Sequence, residues 1–358
     1  MDRNATCGHA AHSHESKAAR DLDGKMLRFT YGDTGYYTEL LFDIHRYQLI
    51  VGARDHLFRL ALEDLKKLEA VAVPASNAAV RSCRQKGQTE EDCRNYIKVL
   101  LLHKERLFSC GTNAFAPECT WRDISSLVTV REKVDGIGKA PYSPHSNSTM
   151  LMTVQGDYYV ASPLDFSARD YALYRIMGRE RSLRTPIYDH KWLSEPNFVG
   201  SFEIGEFVYI FYRESAVEFM NCGKAVYSRV ARVCKNDQGG QVILKENWTT
   251  FLKARLNCSL PGLFPFYYNE IQSVHYIEKE QLFYAAFTTG ELTHITVDVV
   301  PTKYSFDGIH VIFAATLEGA IKKLVVIPGL LETCLIEEVH PFPLRERHIF
   351  TMKLLKDT

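Results

Sequence analysis

Short apolar runs that end on a small residue and then turn recur along the chain. The clearest is Leu49-Ile50-Val51-Gly52-Ala53-Arg54-Asp55-His56-Leu57-Phe58-Arg59-Leu60. After its turn, apolar and polar positions alternate as they must in a strand with one buried and one wet face. The phrase returns as Leu107-Phe108-Ser109-Cys110-Gly111-Thr112-Asn113, as Tyr158-Tyr159-Val160-Ala161 running on to Tyr174-Arg175, and as Phe207-Val208-Tyr209-Ile210-Phe211-Tyr212-Arg213-Glu214. Later copies run from Leu282 to Thr288 and from Val311 to Gly319. The first four start roughly 50 to 60 residues apart, close to the period of a four-stranded propeller blade with long loops. A β-sandwich also has many strands, but not that spacing.

The pattern therefore predicts an all-β chain of the β-propeller type. The last two copies lie only about 30 residues apart, too few for a full blade at this period. Strands that would close a ring are also expected where the sequence stops at Thr358. Both features predict an incomplete propeller. Helix is a minor component; the best candidate is Asn247 to Leu256, where Phe251, Leu252 and Leu256 follow Thr249 or Thr250 as a possible N-cap. No Pro/Gly/Ser linker divides the chain, so residues 27–358 are expected as one domain behind a polar, His-rich, disordered segment, residues 1–26.

Composition narrows the function. Lys plus Arg and Asp plus Glu both number 43, so no broad field attracts nucleic acid or an anionic membrane. No apolar window is long enough to cross a bilayer, the best being stretches such as Leu324 to Leu331. The start lacks the apolar core of a signal peptide. Nine cysteines are present, with no C-x-x-C or C-x-x-H pair, and Cys83/Cys93 and Cys110/Cys119 each flank a short polar segment, which reads as disulfide loops and not a zinc site. Sequons at Asn4, Asn147, Asn247 and Asn257 are compatible with passage through the secretory pathway. The segment Cys7 to His14 holds metal-ligand residue types, read as an accidental tail; no metal or cofactor is expected.

Longer phrases carry a resemblance. They are Cys83 through Cys93-Arg94-Asn95-Tyr96-Ile97-Lys98-Val99-Leu100, Cys110-Gly111-Thr112-Asn113-Ala114-Phe115 to Cys119, Pro141-Tyr142-Ser143-Pro144, Arg169-Asp170 and Tyr174-Arg175. Then come Lys191-Trp192-Leu193-Ser194-Glu195-Pro196-Asn197-Phe198-Val199, Phe211-Tyr212-Arg213-Glu214, Ser228 to Asp237 and Trp248 to Cys258. Together they resemble the sema domain of semaphorins, class 5 members most of all, over about Tyr37 to Thr288, and a weaker match resumes at His294.

The resemblance implies a seven-bladed propeller that binds plexin receptors, usually as a homodimer, in axon guidance and cell migration, at the cell surface or outside the cell. Relative to that pattern a stretch of about one blade is absent near Gly290-Glu291, which includes the dimer-forming extrusion and puts homodimer formation by this chain in question. Ala140 stands where many relatives have Cys. The resemblance also implies that the usual partners of Cys234 and Cys258 fall in the missing stretch, so these two are expected to stay free, pair together or pair wrongly. Loss of a native disulfide costs roughly 2 to 5 kcal/mol.

For receptor contact, exposed charged and aromatic loop residues are the candidates: Asp165, Phe166, Arg169, Asp170, Lys191, Trp192, Glu195, Arg213 and Glu214. The plain alternative is that Trp192 and Phe166 are core and that Arg213 and Glu214 form an internal ion pair. No nucleophile elbow, H-E-x-x-H or phosphate-cradling loop occurs, so catalysis is not expected. A propeller hydrolase using Arg175, Arg229 and Asp165 is a competing reading, as is a truncated form that no longer signals.

Overall fold

The computed structural model describes residues 15–22, 24–219, 224–260, 262–263, 266–288, 292–302, 305–327, 332–342, 349 and 351–355. Asn4, the Cys7 to His14 segment, Cys222 and the Gly290-Glu291 junction lie outside them.

Each of the first four apolar phrases forms the second strand of a four-stranded antiparallel sheet. The first blade comprises Glu39–Asp43, Gln48–Ala53, His56–Ala61 and Lys67–Ala72. The second comprises Ile97–His103, Arg106–Gly111, Glu118–Asp123 and Ser126–Asp135. Thr149–Met152, Tyr158–Pro163, Tyr171–Met177 and Leu183–Arg184 make the third, and Asn197–Ile204, Phe207–Ser215, Val226–Cys234 and Leu252–Arg255 the fourth.

These central strands are apolar on both faces because each face packs on a different neighbour. Ile50 and Leu57 join Leu100 and Leu107 between the first and second blades. Val99 and Phe108, one residue out of phase, meet Tyr158 and Val160 between the second and third. Tyr159 and Ala161 then turn to Val208, Ile210 and Tyr212 of the fourth. Stacked sheets that share their faces in this way are the packing of propeller blades.

The protein divides into two compact units, Arg28–Ile271 with these four blades, and a second whose described residues come from the first 27 and from residue 272 onward. The second unit has a four-stranded blade of Leu292–Thr302, Ser305–Thr316, Ile321–Ile327 and Glu332–Val339. Glu15–Lys17 adds to its edge, parallel to Glu332–Val339, with Lys17 Nζ 2.6 Å from Glu337 Oε1. Part of the segment expected as disordered is therefore a strand, because an open sheet edge supplies the hydrogen bonds that its polar sequence cannot supply by itself.

Glu270–Ile277 and Leu282–Thr288 form a two-stranded sheet. A blade is thus begun and stops at two strands, and the next described strand, Leu292–Thr302, pairs onward with Ser305–Thr316. Among the described residues, five four-stranded blades and this half-blade stand against an expected seven, so the fold is an incomplete β-propeller.

The expected helix at Asn247 to Leu256 is not a helix. Trp248 is buried with its indole N–H donated to the Leu173 carbonyl at 3.0 Å, and Leu252–Arg255 is an outer strand. Among the described residues the α-helix is instead Asn77–Gln85, capped by Ser76 Oγ, which accepts from the Ala79 N–H at 3.2 Å, with only Cys83 buried along it.

Candidate functional site

In an antiparallel meander the turn after the second strand and the connection into the next blade emerge at the same end. Residues 164–170, residues 185–196 and the end of Phe207–Ser215 therefore share one end of the third and fourth blades, and the nine candidate residues all lie there. Glu195 accepts from the Ser215 hydroxyl at 2.9 Å, tying the connection to the strand end.

The structure assigns these residues different work. The Asp165 carboxylate accepts the N–H groups of Ser167, Arg169 and Asp170 at 2.9, 3.0 and 2.9 Å, shaping its own loop. Burial pushes its carboxyl up, but the bonds from Ser167, Asp170 and Arg169 outweigh that and hold it below the usual range. Phe166 packs on Phe115 with centroids 5.1 Å apart, beside the Cys83–Cys93 bridge. Trp192 packs on Phe251 at 5.0 Å.

Arg213 and Glu214 do not pair with each other, because neighbours on a strand point to opposite faces. Arg213 Nη1 donates to the Ile271 carbonyl at 2.6 Å. Glu214 is 1% exposed and sits between Arg229 Nε and Lys253 Nζ, both 2.5 Å from Oε1, while Oε2 accepts the Ser194 N–H at 3.0 Å. Its side chain is buried and serves as an internal ion-pair centre. Arg169, Lys191 and Glu195 remain exposed at the surface.

Two neighbours escaped the sequence reading: Tyr188, 86% exposed, and His190, also exposed. Their signal was an aromatic outside any strand phrase. A cleft of about 500 Å³ lined by His190, Ser194, Glu195, Ser215, Val217 and Lys224 opens beside them. Asn147 is exposed at the same end and lines a second cleft with Ala168 and Tyr171. Asn257 is exposed and Asn247 half-buried.

Residues of the competing hydrolase reading are not gathered. Arg175 is fully buried, donating to the carbonyls of Arg181, Lys235 and Asp237 at 2.8, 2.5 and 2.6 Å. Arg229 serves Glu214 and Glu218, and Asp165 serves its loop. The Asp237 carboxylate accepts from the N–H groups of Gly239, Thr249 and Thr250 and both threonine hydroxyls, at 2.7 to 2.9 Å.

Burial raises the Asp237 carboxyl, but the bonds from Thr250, Gly239 and Thr249 outweigh it, so its folded pKa lies below the ordinary 3.8. A depressed carboxyl adds stability above its unfolded pKa and loses it as pH falls through the folded one. The denaturation midpoint is expected to fall on acidification below about pH 4, and less steeply in Asp237→Asn, a comparison made by urea unfolding across pH. Equal acid slopes would assign the effect to other carboxylates.

Cys83 and Cys93 are bridged, as are Cys110 and Cys119, with Cα separations of 5.8 and 4.0 Å. Cys234 and Cys258, half-buried, are free thiols, and Cys334 is disulfide-bonded.

Against known proteins, residues 270–356 match the model of the Sema domain family. Semaphorin-5B of Mus musculus is 50% identical over 277 residues, covering 77% of this chain and 25% of the relative. The chain thus spans about a quarter of the length of the curated relatives it matches. Drosophila Semaphorin 1b, extracellular domains 1-2, superposes with a TM-score of 0.77 at 30% identity, covering 86% of this chain and 79% of that one. A chain of the structure described as Drosophila Plexin A in complex with Semaphorin 1b matches with a TM-score of 0.73 at 29% identity, over 86% and 79% of the two chains.

Proposed function

The chain belongs to the semaphorin family, and on that premise we propose that it is an extracellular ligand for a plexin receptor. The observation that carries the reading is the end of the third and fourth blades, where ordered loops expose Arg169, Tyr188, Lys191 and Glu195 over an internally satisfied base. Aromatic and arginine side chains on rigid supports suit a protein interface. Semaphorin 1b, similar to this chain, has been solved with Plexin A. Two disulfides and the exposed sequons at Asn147 and Asn257 support a location outside the cytosol. Among the described residues no helix is long and apolar enough to cross a membrane.

Surface plasmon resonance against a panel of plexin ectodomains tests the reading. Binding is expected, weakened at least about tenfold, or 1.4 kcal/mol, by joint replacement of Arg169, Tyr188 and Lys191 with Ala. The variant's denaturation midpoint should not move. A folded chain that binds no plexin would sink the proposal.

The half-blade at Glu270 to Thr288 favours a second reading, a form that binds without signalling. Plexin binding without a response in a cell-collapse assay separates it from a signalling ligand.

A further inference from the structure

Between the outer strands of the first and second blades lies a cleft of about 360 Å³. Leu57, Val71, Val73 and Ile97 give it an apolar wall, and Thr120 and Arg122 a polar end. The volume falls within the range of small-molecule sites, about 300 to 1,000 Å³.

Arg122 is the unusual feature. It is 6% exposed, yet no carboxylate pairs with it among the described residues. Its Nε donates to Thr120 Oγ1 at 3.1 Å and its Nη1 to the Leu127 carbonyl at 2.5 Å, two of five N–H groups. The nearest carboxylates are committed elsewhere. Glu69 accepts Arg59 Nε at 3.0 Å and the N–H groups of Leu127 and Val128, both at 3.1 Å. Glu118 pairs with Lys133 Nζ at 3.1 Å. Burial pulls the guanidinium below its ordinary pKa, and Glu118 and Glu69 offset this only in part. A buried cation without a counter-ion is an expense that folding normally avoids.

We propose that this cleft binds a small organic monoanion, whose carboxylate completes an ion pair with Arg122 while its apolar body lies against Leu57, Val71, Val73 and Ile97. The planar fork of a guanidinium matches a carboxylate. Glu118 and Lys133 line the same cleft but pair with each other, so Arg122 is the cation left for the ligand's carboxylate.

The full chain is titrated with phenylacetate and hexanoate by calorimetry, with phenylacetamide as the neutral isostere. Saturable binding of an acid is expected, with phenylacetamide weaker by about tenfold or more. Arg122→Met should abolish it. Because that variant alters a buried site, Val130→Trp is the second test: Val130 lies partly exposed along the cleft, and a bulky side chain there should close it without touching the core. Equal affinity for acid and amide, no binding of either acid to about 10 mM, or unchanged binding in Val130→Trp each overturns the proposal.

Discussion

Replacing Glu214 with Ala is expected to cost about 3 to 5 kcal/mol of stability, the range found when one partner is removed from a buried ion pair. Its carboxylate neutralises Arg229 and Lys253 and holds the Ser194 N–H. Arg229 keeps a second anion, Glu218, at 2.5 Å; Lys253 keeps only the Trp192 carbonyl, at 3.0 Å. Lys253 is thus the charge left uncompensated. Glu214→Gln, which still accepts from Ser194, should lose less, and Glu214→Ala combined with Lys253→Met should recover part of the loss. Urea unfolding followed by Trp fluorescence reads this, because Trp192 contacts Lys253 through its carbonyl and Trp248 belongs to the same core cluster. Plexin binding measured well below the midpoint should be kept by all three variants. Loss of binding in folded Glu214→Ala would return this residue to the interface.

Strand phase already contained that outcome. Val208, Ile210, Tyr212 and Glu214 occupy one face of Phe207–Ser215, and the first three are buried, so a fourth in register is buried too. Residue type marks Glu214 as a contact, but strand phase places it on the buried face. The blade pattern itself was legible because each central strand packs on two neighbours and so reads as an apolar run. The helix was not. The apolar face of Asn77–Gln85 is short, Ala79, Val80 and Cys83 with only Cys83 fully buried, and its other signal was Ser76 before Asn77. The apparent helical spacing of Phe251, Leu252 and Leu256 does not mark one buried face: Phe251 packs against Trp192 while Leu252 points outward from a strand. Arg122 could not be found at all, since only the fold shows that both nearby carboxylates are engaged.

The Cys110–Cys119 and Cys83–Cys93 bridges are expected to fail in different ways. Cys110 and Cys119 face each other across adjacent strands of the second blade, both buried, inside the cluster that joins it to the third. They are 9 residues apart in sequence. Closing a loop of that size contributes about 2.7 kcal/mol in the chain-entropy model, and alanine at both positions also leaves the volume of two sulfurs empty. The midpoint of the whole Arg28–Ile271 unit should therefore drop. Cys83–Cys93 is instead the covalent tie of the helix, otherwise held by Ala79 and Val80 against Phe115. Its removal should free Asn77–Gln85 ahead of global unfolding. Trypsin then cuts at the exposed Arg81, Arg84 and Lys86 at a rate insensitive to small additions of urea, as local opening requires, while the Trp midpoint moves little. In the Cys110/Cys119 variant the rate of cleavage should instead rise with urea in step with global unfolding. If both variants shift the midpoint equally and neither gains early cleavage, the helix belongs to the same cooperative unit as the blades, and the division into a local and a global staple is wrong.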